Sequence, residues 1–326
     1  MDGDVKKPAV LVTGASGFVG RAVVSELAGC GRYRVVAQYR NAGPCASGHE
    51  STSVGNIDGR TDWAQALRGV DVVIHAAARV HVMNDTASDP LAAFREVNVE
   101  GTLNLARQAA AAAVRRFVFI SSVKVNGEHT EPGRPFTAEN TPRPGDPYGV
   151  SKLEAEQGLR ALGLASGMEV VIVRPVLVYG PGVKANFLNM MRWLDRGIPL
   201  PFGAIDNRRS LVALDNLVDL VRVCVDHPGA ANQVFMVSDG EDLSTTDLLR
   251  RMARALDKKA RLLPVPAWVL QAGARAVGKM SLSQRLCGSL QVDIEKNQQL
   301  LGWRPPVTVD AALVAVARHY QGNNKK

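Results

Sequence analysis

Ala9-Val10-Leu11-Val12-Thr13-Gly14-Ala15-Ser16-Gly17-Phe18-Val19-Gly20 is the stretch that decides the fold of this 326-residue chain. Four apolar residues without a polar interruption read as a strand buried on both faces. Three glycines spaced G-x-x-G-x-x-G follow, and an apolar helical pattern from Phe18 to Leu27 begins at once. Glycine at such a turn lets backbone N–H groups approach a ligand and leaves a helix N-terminus open to a phosphate. A tight structural turn would spell the same letters. The strand–turn–helix setting near the N-terminus favours the pyrophosphate of a dinucleotide, with Gly14, Ser16, Gly17, Phe18, Val19 and Gly20 as the cradle.

Outward from there, Arg34 to Ala37, Val70 to His75, Arg116 to Ser121 and Val170 to Val173 are further apolar runs. Helical patterns lie between them, notably Val99 to Val114 and Val150 to Leu164. Buried strands alternating with helices predict an α/β fold, a doubly wound parallel sheet of the Rossmann kind. Past Pro175 proline and glycine cluster, and Ser210 to Ala213 and Gln233 to Val237 read as two more strands. From Ser244 the pattern is mostly helical, with breaks at Pro264, Pro266 and Pro305-Pro306. A dinucleotide-binding domain is expected over residues 1–174 plus about 210–237. A smaller, mostly helical lobe that binds the substrate is expected over about 175–209 and 238–326.

Composition excludes several classes. Hydrophobic residues make up 46% and charged residues 21%, which fits a folded globule rather than a disordered or fibrous chain. The net charge of +8 is spread along the chain. It reads as a solvated basic surface or as a field that draws in an anionic ligand. Aromatics are 5% and no basic block alternates with them, which argues against nucleic acid. Cys30, Cys45, Cys224 and Cys287 lie far apart and read as reduced thiols, with no metal site. The opening Met1-Asp2-Gly3-Asp4-Val5-Lys6-Lys7 is too acidic for a signal peptide, and no apolar run is long enough for membrane insertion. A cytoplasmic protein is expected.

Tyr148-Gly149-Val150-Ser151-Lys152 sets a phenol and an ammonium one helical turn apart on one face. An adjacent cation favours the phenolate, which turns a poor base at neutral pH into a usable one. Ile120-Ser121-Ser122 ends the fourth strand, at the edge where such sheets hold ligands, and offers a hydroxyl to the same substrate oxygen. After Ala37 stand Gln38, Tyr39 and Arg40, so the carboxylate that usually holds the ribose of NAD is missing. A guanidinium there suits a 2′-phosphate, favouring NADP slightly over NAD. Alternatively, Arg40 only flanks the adenine. His75, at a strand end, reads as structural.

On these residues the chain resembles extended short-chain dehydrogenase/reductases of the nucleotide-sugar epimerase/dehydratase group, over essentially its whole length. The matching positions are Thr13 to Gly20, His75-Ala76-Ala77-Ala78, Asn98 with Gly101-Thr102, Ser121-Ser122, Tyr148 with Lys152, Arg174-Pro175, Tyr179-Gly180-Pro181, Arg209-Ser210-Leu211-Val212 and Leu301-Gly302-Trp303. The resemblance implies Ser122 as the active-site hydroxyl, Tyr148 as acid/base and Lys152 as its partner. It implies a nicotinamide-cofactor site that also takes in Tyr39, Arg40, Asn56, Ile57, Ala76, Ala77, Ala78, Asn98 and Pro175. Asn56-Ile57 stands where the family usually has Asp and an apolar residue against adenine. For a UDP-sugar substrate it implies Arg209 on the diphosphate, Asn186 as an amide contact, Leu200 to Gly203 with Phe202 at the uracil, and Lys124 and Asn126 near the sugar. A homodimer built by packing the helices 99–114 and 149–164 against a second copy is also implied.

Sugar 4,6-dehydratases of the group carry Thr-Asp-Glu where this chain has Ser122-Val123-Lys124, so elimination of water lacks its acid and base. Epimerases commonly carry Tyr-Gly at Asn126-Gly127 and Asn at Leu177. The chain is most similar to reductases that act on the C4 keto group of a UDP-4-keto-6-deoxy-(N-acetyl)hexosamine, with hydride from NAD(P)H and Tyr148 as proton donor. Such enzymes serve O-antigen and other polysaccharide biosynthesis. A UDP-sugar 4-epimerase with retained NAD is the alternative, and a non-catalytic nucleotide-binding sensor a third.

Overall fold

β1 (Ala9–Thr13) is buried along its whole length, and the sheet grows outward from it on both sides. The computed structural model describes residues 7–41, 48–80, 89–131, 133–276, 284 and 286–324; Cys45 and the opening residues 1–6 lie outside them. β1 pairs in parallel with β2 (Arg34–Tyr39) on one side and β4 (Val72–His75) on the other. β3 (Glu50–Ser53), β5 (Arg116–Ile120), β6 (Glu169–Pro175) and β9 (Val234–Val237) complete a seven-stranded parallel sheet in the order β3-β2-β1-β4-β5-β6-β9. The direction of winding reverses between β1 and β4, so the crevice beyond the end of β1 is the natural ligand site.

Side chains alternate across β1. Val10 and Val12 pack on one face with Val24 of α1 (Phe18–Gly29) and Leu217 and Val221 of α6 (Leu214–Asp226). Leu11 faces the other way, with Leu105 of α3 (Thr102–Ala111) and Leu159 of α4 (Pro147–Ser166). This is the Rossmann-like α/β architecture that the apolar runs predict. β3 was not expected: its Glu-Ser-Thr-Ser sequence is polar because the strand lies at the edge.

The helical pattern Val99 to Val114 is realised differently. α2 (Pro90–Arg95) runs into a π-helical turn (Glu96–Gly101) before α3 begins, and α3 stops at Ala111. Gly101 sits against the loop after β3, where a Cβ would meet Ile57 Cγ2 at 2.8 Å. α4 is punctuated as its sequence suggests. Asp146 caps it by accepting from the Gly149 N–H at 2.7 Å, Pro147 occupies its first turn, and Gly167 closes it at φ 78°.

A second, three-stranded sheet has the order β10-β8-β7, from β7 (Leu177–Tyr179), β8 (Arg209–Ala213) and β10 (Asp242–Leu243). Ser210 to Ala213, expected with the dinucleotide domain, therefore pairs with β7 and β10 instead of joining the large sheet. α5 (Ala185–Asp195), α7 (Thr245–Ala255) and the C-terminal α10 (Val309–Asn324) share a separate core around Tyr179, Phe187, Leu249 and Leu313. α8 (Ala267–Ala276) and α9 (Glu295–Leu301) complete the described helices. No helix among the described residues is long and apolar enough to cross a membrane.

Glu156 of α4 and Arg174 of β6 form a salt bridge of 2.5 Å with both side chains almost wholly buried. Ser121 donates to Glu156 at 2.5 Å, and Arg174 donates to the Asn126 amide oxygen at 3.0 Å. The network locks α4 across the ends of β5 and β6. Replacing one member strands the other charge without water. Glu156→Ala should therefore cost about 3–5 kcal/mol in urea unfolding. A loss below about 1 kcal/mol would mean that the bridge is not holding the helix.

Candidate active site

Each glycine of the first turn meets a distinct steric limit. Gly14 has φ +68°, and a Cβ on it would lie 2.8 Å from the Ala77 backbone. A Cβ on Gly20 would come within 2.2 Å of the Gly14 carbonyl oxygen. Gly17 starts α1 and offers no side-chain cap, so the first N–H groups of the helix point outward with no side chain to receive them. A bare helix N-terminus beside backbone that tolerates no side chain fits the pyrophosphate of a dinucleotide. Gln38 closes the turn from β2: its side-chain oxygen accepts from the Gly14 N–H at 3.2 Å, and its carbonyl from the Ala15 N–H at 3.1 Å. Tyr39 and Arg40 follow at the strand end, with the Tyr39 hydroxyl hydrogen-bonded to His49 at 3.3 Å.

The other expected cofactor residues stand past the ends of β3 and β4, at the end of β6 and in the π turn. Ala76, Ala77 and Ala78 continue from β4, and the Ala77 N–H donates to the Thr13 hydroxyl. His75 is buried between the Thr13 and Thr102 hydroxyls at 2.8 and 2.9 Å. Burial pushes its pKa down to about 3, so it stays neutral and structural. Asn98, in the π turn, grips both backbone groups of Arg79 and donates to the Ser151 hydroxyl at 3.0 Å. Ile57 lies against Gly101, the exposed Asn56 precedes it, and Pro175 ends β6.

Tyr148 and Lys152 project from the first two turns of α4. Gly149, between them, packs so tightly on the turn after β5 that a Cβ would lie 2.8 Å from the Lys124 carbonyl oxygen. That contact brings Ser122 and the phenol-bearing turn together. Ser121 is spent on Glu156, whereas Ser122 caps the short 3-10 turn Val123–Val125 and is only partly buried, so Ser122 is the accessible hydroxyl. Lys152 is buried, donating to the Ile120 carbonyl at 2.8 Å and lying 4.4 Å from the centre of the Phe119 ring. Burial lowers its pKa to about 7, against an upward pull from Glu156. Burial, and then Asp146, push the Tyr148 phenol up to about 12. The group is thus held protonated at neutral pH, and it needs nearby positive charge to act as a base.

On the substrate side the expectations fare unevenly. Arg209 opens β8 and donates to the Gly288 carbonyl at 2.9 Å. Asn186 is exposed at the start of α5, next to Ala185 in the left-handed region at φ +55°. Lys124 bridges Glu128, at 3.0 Å, and the helix-capping Asp146. Asn126 differs from expectation: it is buried, with its oxygen accepting from Arg174 and its nitrogen donating to the Thr137 carbonyl, so both ends of the amide serve the framework rather than a sugar. The Leu200 to Gly203 segment differs as well. The Leu200 and Gly203 N–H groups donate to Arg261 and Leu263 carbonyls, and the Phe202 carbonyl accepts from Thr246. Most of its backbone therefore pairs within the fold instead of being left for a base. Sequence reading missed Glu156 and Asp146; the spacing of Glu156 four residues after Lys152 was the available signal.

A buried lysine one helical turn from a phenol, a partly open serine and a glycine cradle are the marks of a nicotinamide-dependent enzyme of the short-chain dehydrogenase/reductase kind. The model of the NAD dependent epimerase/dehydratase family matches residues 10–238, and the chain belongs to that family. It is an enzyme of the nucleotide-sugar epimerase/dehydratase type. It is 50% identical over 326 residues to a UDP-glucose 4-epimerase of Vibrio cholerae, covering 99% of each chain. It is 29% identical over 261 residues to the N-acetyl-alpha-D-glucosaminyl-diphospho-ditrans,octacis-undecaprenol 4-epimerase of Escherichia coli O157:H7, covering 79% of this chain and 75% of that one. In fold it matches the solved UDP-N-acetylglucosamine 4-epimerase of Bacillus cereus with a TM-score of 0.79 at 19% identity, over 97% of this chain and 100% of that one.

Gly20→Ala should displace α1 from the turn and weaken NAD binding at least about tenfold, roughly 1.4 kcal/mol, by calorimetry. Unchanged affinity would place the pyrophosphate elsewhere. Asp146→Asn should keep the helix cap, since asparagine caps as well as aspartate. Removing the negative charge beside the phenolate should lower the Tyr148 pKa from about 12 and move the rising limb of kcat to lower pH. A limb that stays put or moves up would remove Asp146 from this account.

Proposed function

We propose that the protein is a UDP-sugar 4-epimerase acting through a 4-keto sugar, with NAD retained between turnovers. The observation that carries this reading is the full-length relative at 50% identity named UDP-glucose 4-epimerase, taken with the Ser122, Tyr148 and Lys152 arrangement. Bound NAD would accept hydride from C4 of the sugar and return it. The chain's own residues handle the proton. Tyr148, as phenolate, takes the proton of the C4 hydroxyl, while Ser122 holds the same oxygen. Lys152 supplies the cation that makes the phenolate accessible at neutral pH. On the return step Tyr148 gives the proton back to the oxygen. Arg209 grips the diphosphate with its forked donors, and Asn186 and Lys124 line the sugar end.

Net reduction of a 4-keto-6-deoxy sugar by exchangeable NADPH is the second reading. It rests on the Gln38-Tyr39-Arg40 end of β2, which lacks the carboxylate that would hold the NAD ribose and carries a guanidinium suited to a 2′-phosphate. Both readings put the cofactor over the large sheet and the sugar against the smaller lobe of residues about 175–209 and 238–326. Both fit a cytoplasmic homodimer joined through α3 and α4.

One experiment separates them. Incubated with UDP-glucose and no added reductant, the protein should form UDP-galactose. Consumption of NADPH with UDP-4-keto-6-deoxy-N-acetylglucosamine, without any turnover of UDP-glucose, would overturn epimerisation in favour of reduction. Failure with both would favour the sensor. Tyr148→Phe should lower kcat at least about 100-fold and leave cofactor binding intact; an undiminished rate would sink its role.

A further inference from the structure

The exposed large apolar side chains are not scattered evenly. Nine are exposed among the described residues, and five of them, Trp193, Ile198, Leu263, Trp268 and Val269, fall on one ribbon, with Leu263 and Trp268 more than half open. The ribbon is built from two strips side by side. The Ile198 N–H donates to the Trp193 carbonyl, Leu200 bridges Leu262, and Ala204 bridges Pro266. α8 starts immediately after that last bridge, and Trp268, in its first turn, is 70% exposed. A tryptophan left so open on a helix has no packing role in the fold.

Charge around the ribbon has one dominant sign. From Lys258 to Ala276 the chain holds Lys258, Lys259, Arg261 and Arg275 and neither Asp nor Glu. Arg192 and Arg196 are exposed on the neighbouring strip. Asp195 stands between them, 3.4 Å from the Lys258 ammonium and bonded to the Tyr320 hydroxyl. A second copy seated on this face would bring cations against cations. Apolar tips flanked by cations instead match the boundary of a bilayer with anionic headgroups, where tryptophan sits at headgroup depth and Lys and Arg meet phosphate.

We propose that this ribbon, from Trp193 to Ile198 and from Arg261 to Val269, docks the protein peripherally on an anionic phospholipid surface. The contact is shallow: Trp268, Val269 and Leu263 enter the headgroup zone while Lys259, Arg261 and Arg196 pair with lipid phosphate. It requires no change at the catalytic crevice and is independent of which C4 reaction the site performs.

Vesicle flotation of the full chain tests it. Wild type should float at least about fivefold more with phosphatidylcholine:phosphatidylglycerol vesicles than with phosphatidylcholine alone, and the excess should fall in high salt. Trp268→Glu should reduce flotation to the phosphatidylcholine level with an unchanged circular-dichroism melt. Lys259→Glu with Arg261→Glu should do the same. In a Trp193→Phe background, anionic vesicles should shift the remaining tryptophan emission to the blue. No flotation on either vesicle, equal flotation on both, or a Trp268→Glu variant that floats like wild type would overturn the proposal. So would a Trp268→Glu variant that merely dissociates an oligomer in the absence of lipid binding by the wild type.

Discussion

Lys152 carries an ammonium group into a place with 1% exposure, and the groups that receive it are the Ile120 carbonyl and the face of Phe119. Burying a cation is costly unless its partners are fixed in advance. Here they are fixed by the sheet: Ile120 ends β5, and Phe119 lies beneath it. The requirement works in both directions. α4 has to lie across the end of β5, and once it does, Tyr148 is delivered one turn nearer the crevice. Glu156, a turn further along, then meets Arg174 from β6 and Ser121 just past the end of β5. A charged residue that would weaken an ordinary core thus sets the register of helix against sheet.

The first turn and the end of β2 form a second unit of the same kind. Gln38 uses its side chain and its carbonyl to hold Gly14 and Ala15, so the turn is shaped from below by a neutral amide. Whatever holds a ribose must come from residues past it, and Tyr39 and Arg40 present a ring and a positive charge there. This stretch bears on the choice between a cofactor that stays and one that exchanges. The residues proposed to handle the proton are common to both chemistries.

Much of this was legible in the residues. β1, the glycines and α1 are local features, with period and spacing visible in a dozen letters. Tyr148 and Lys152 are four apart on a helix whose caps, Asp146 and Gly167, are also local. What escaped depends on partners distant in sequence. Ser121 and Glu156 meet across 35 residues, and only that pairing explains why Ser122 is the accessible serine. Asn126 matched a position near the sugar in the family pattern, yet Arg174, 48 residues away, takes its oxygen. The small sheet was invisible because β7 and β10 have three and two residues, too few for a period to register. The paired strip opposite Leu200 could not be foreseen for the same reason.

The π turn between α2 and α3 has a consequence for insertions and deletions. An α-helix advances about 100° per residue, so a turn that holds one extra residue re-aims everything downstream of it. Asn98 sits inside that widened turn and ties Arg79 to Ser151. Removing any single residue from 96–101 would restore a regular helix and swing either the asparagine or the buried face of α3 out of alignment. The length of this segment is therefore held more strictly than its composition, and lineages of this chain should exchange side chains along it far more freely than they gain or lose a position.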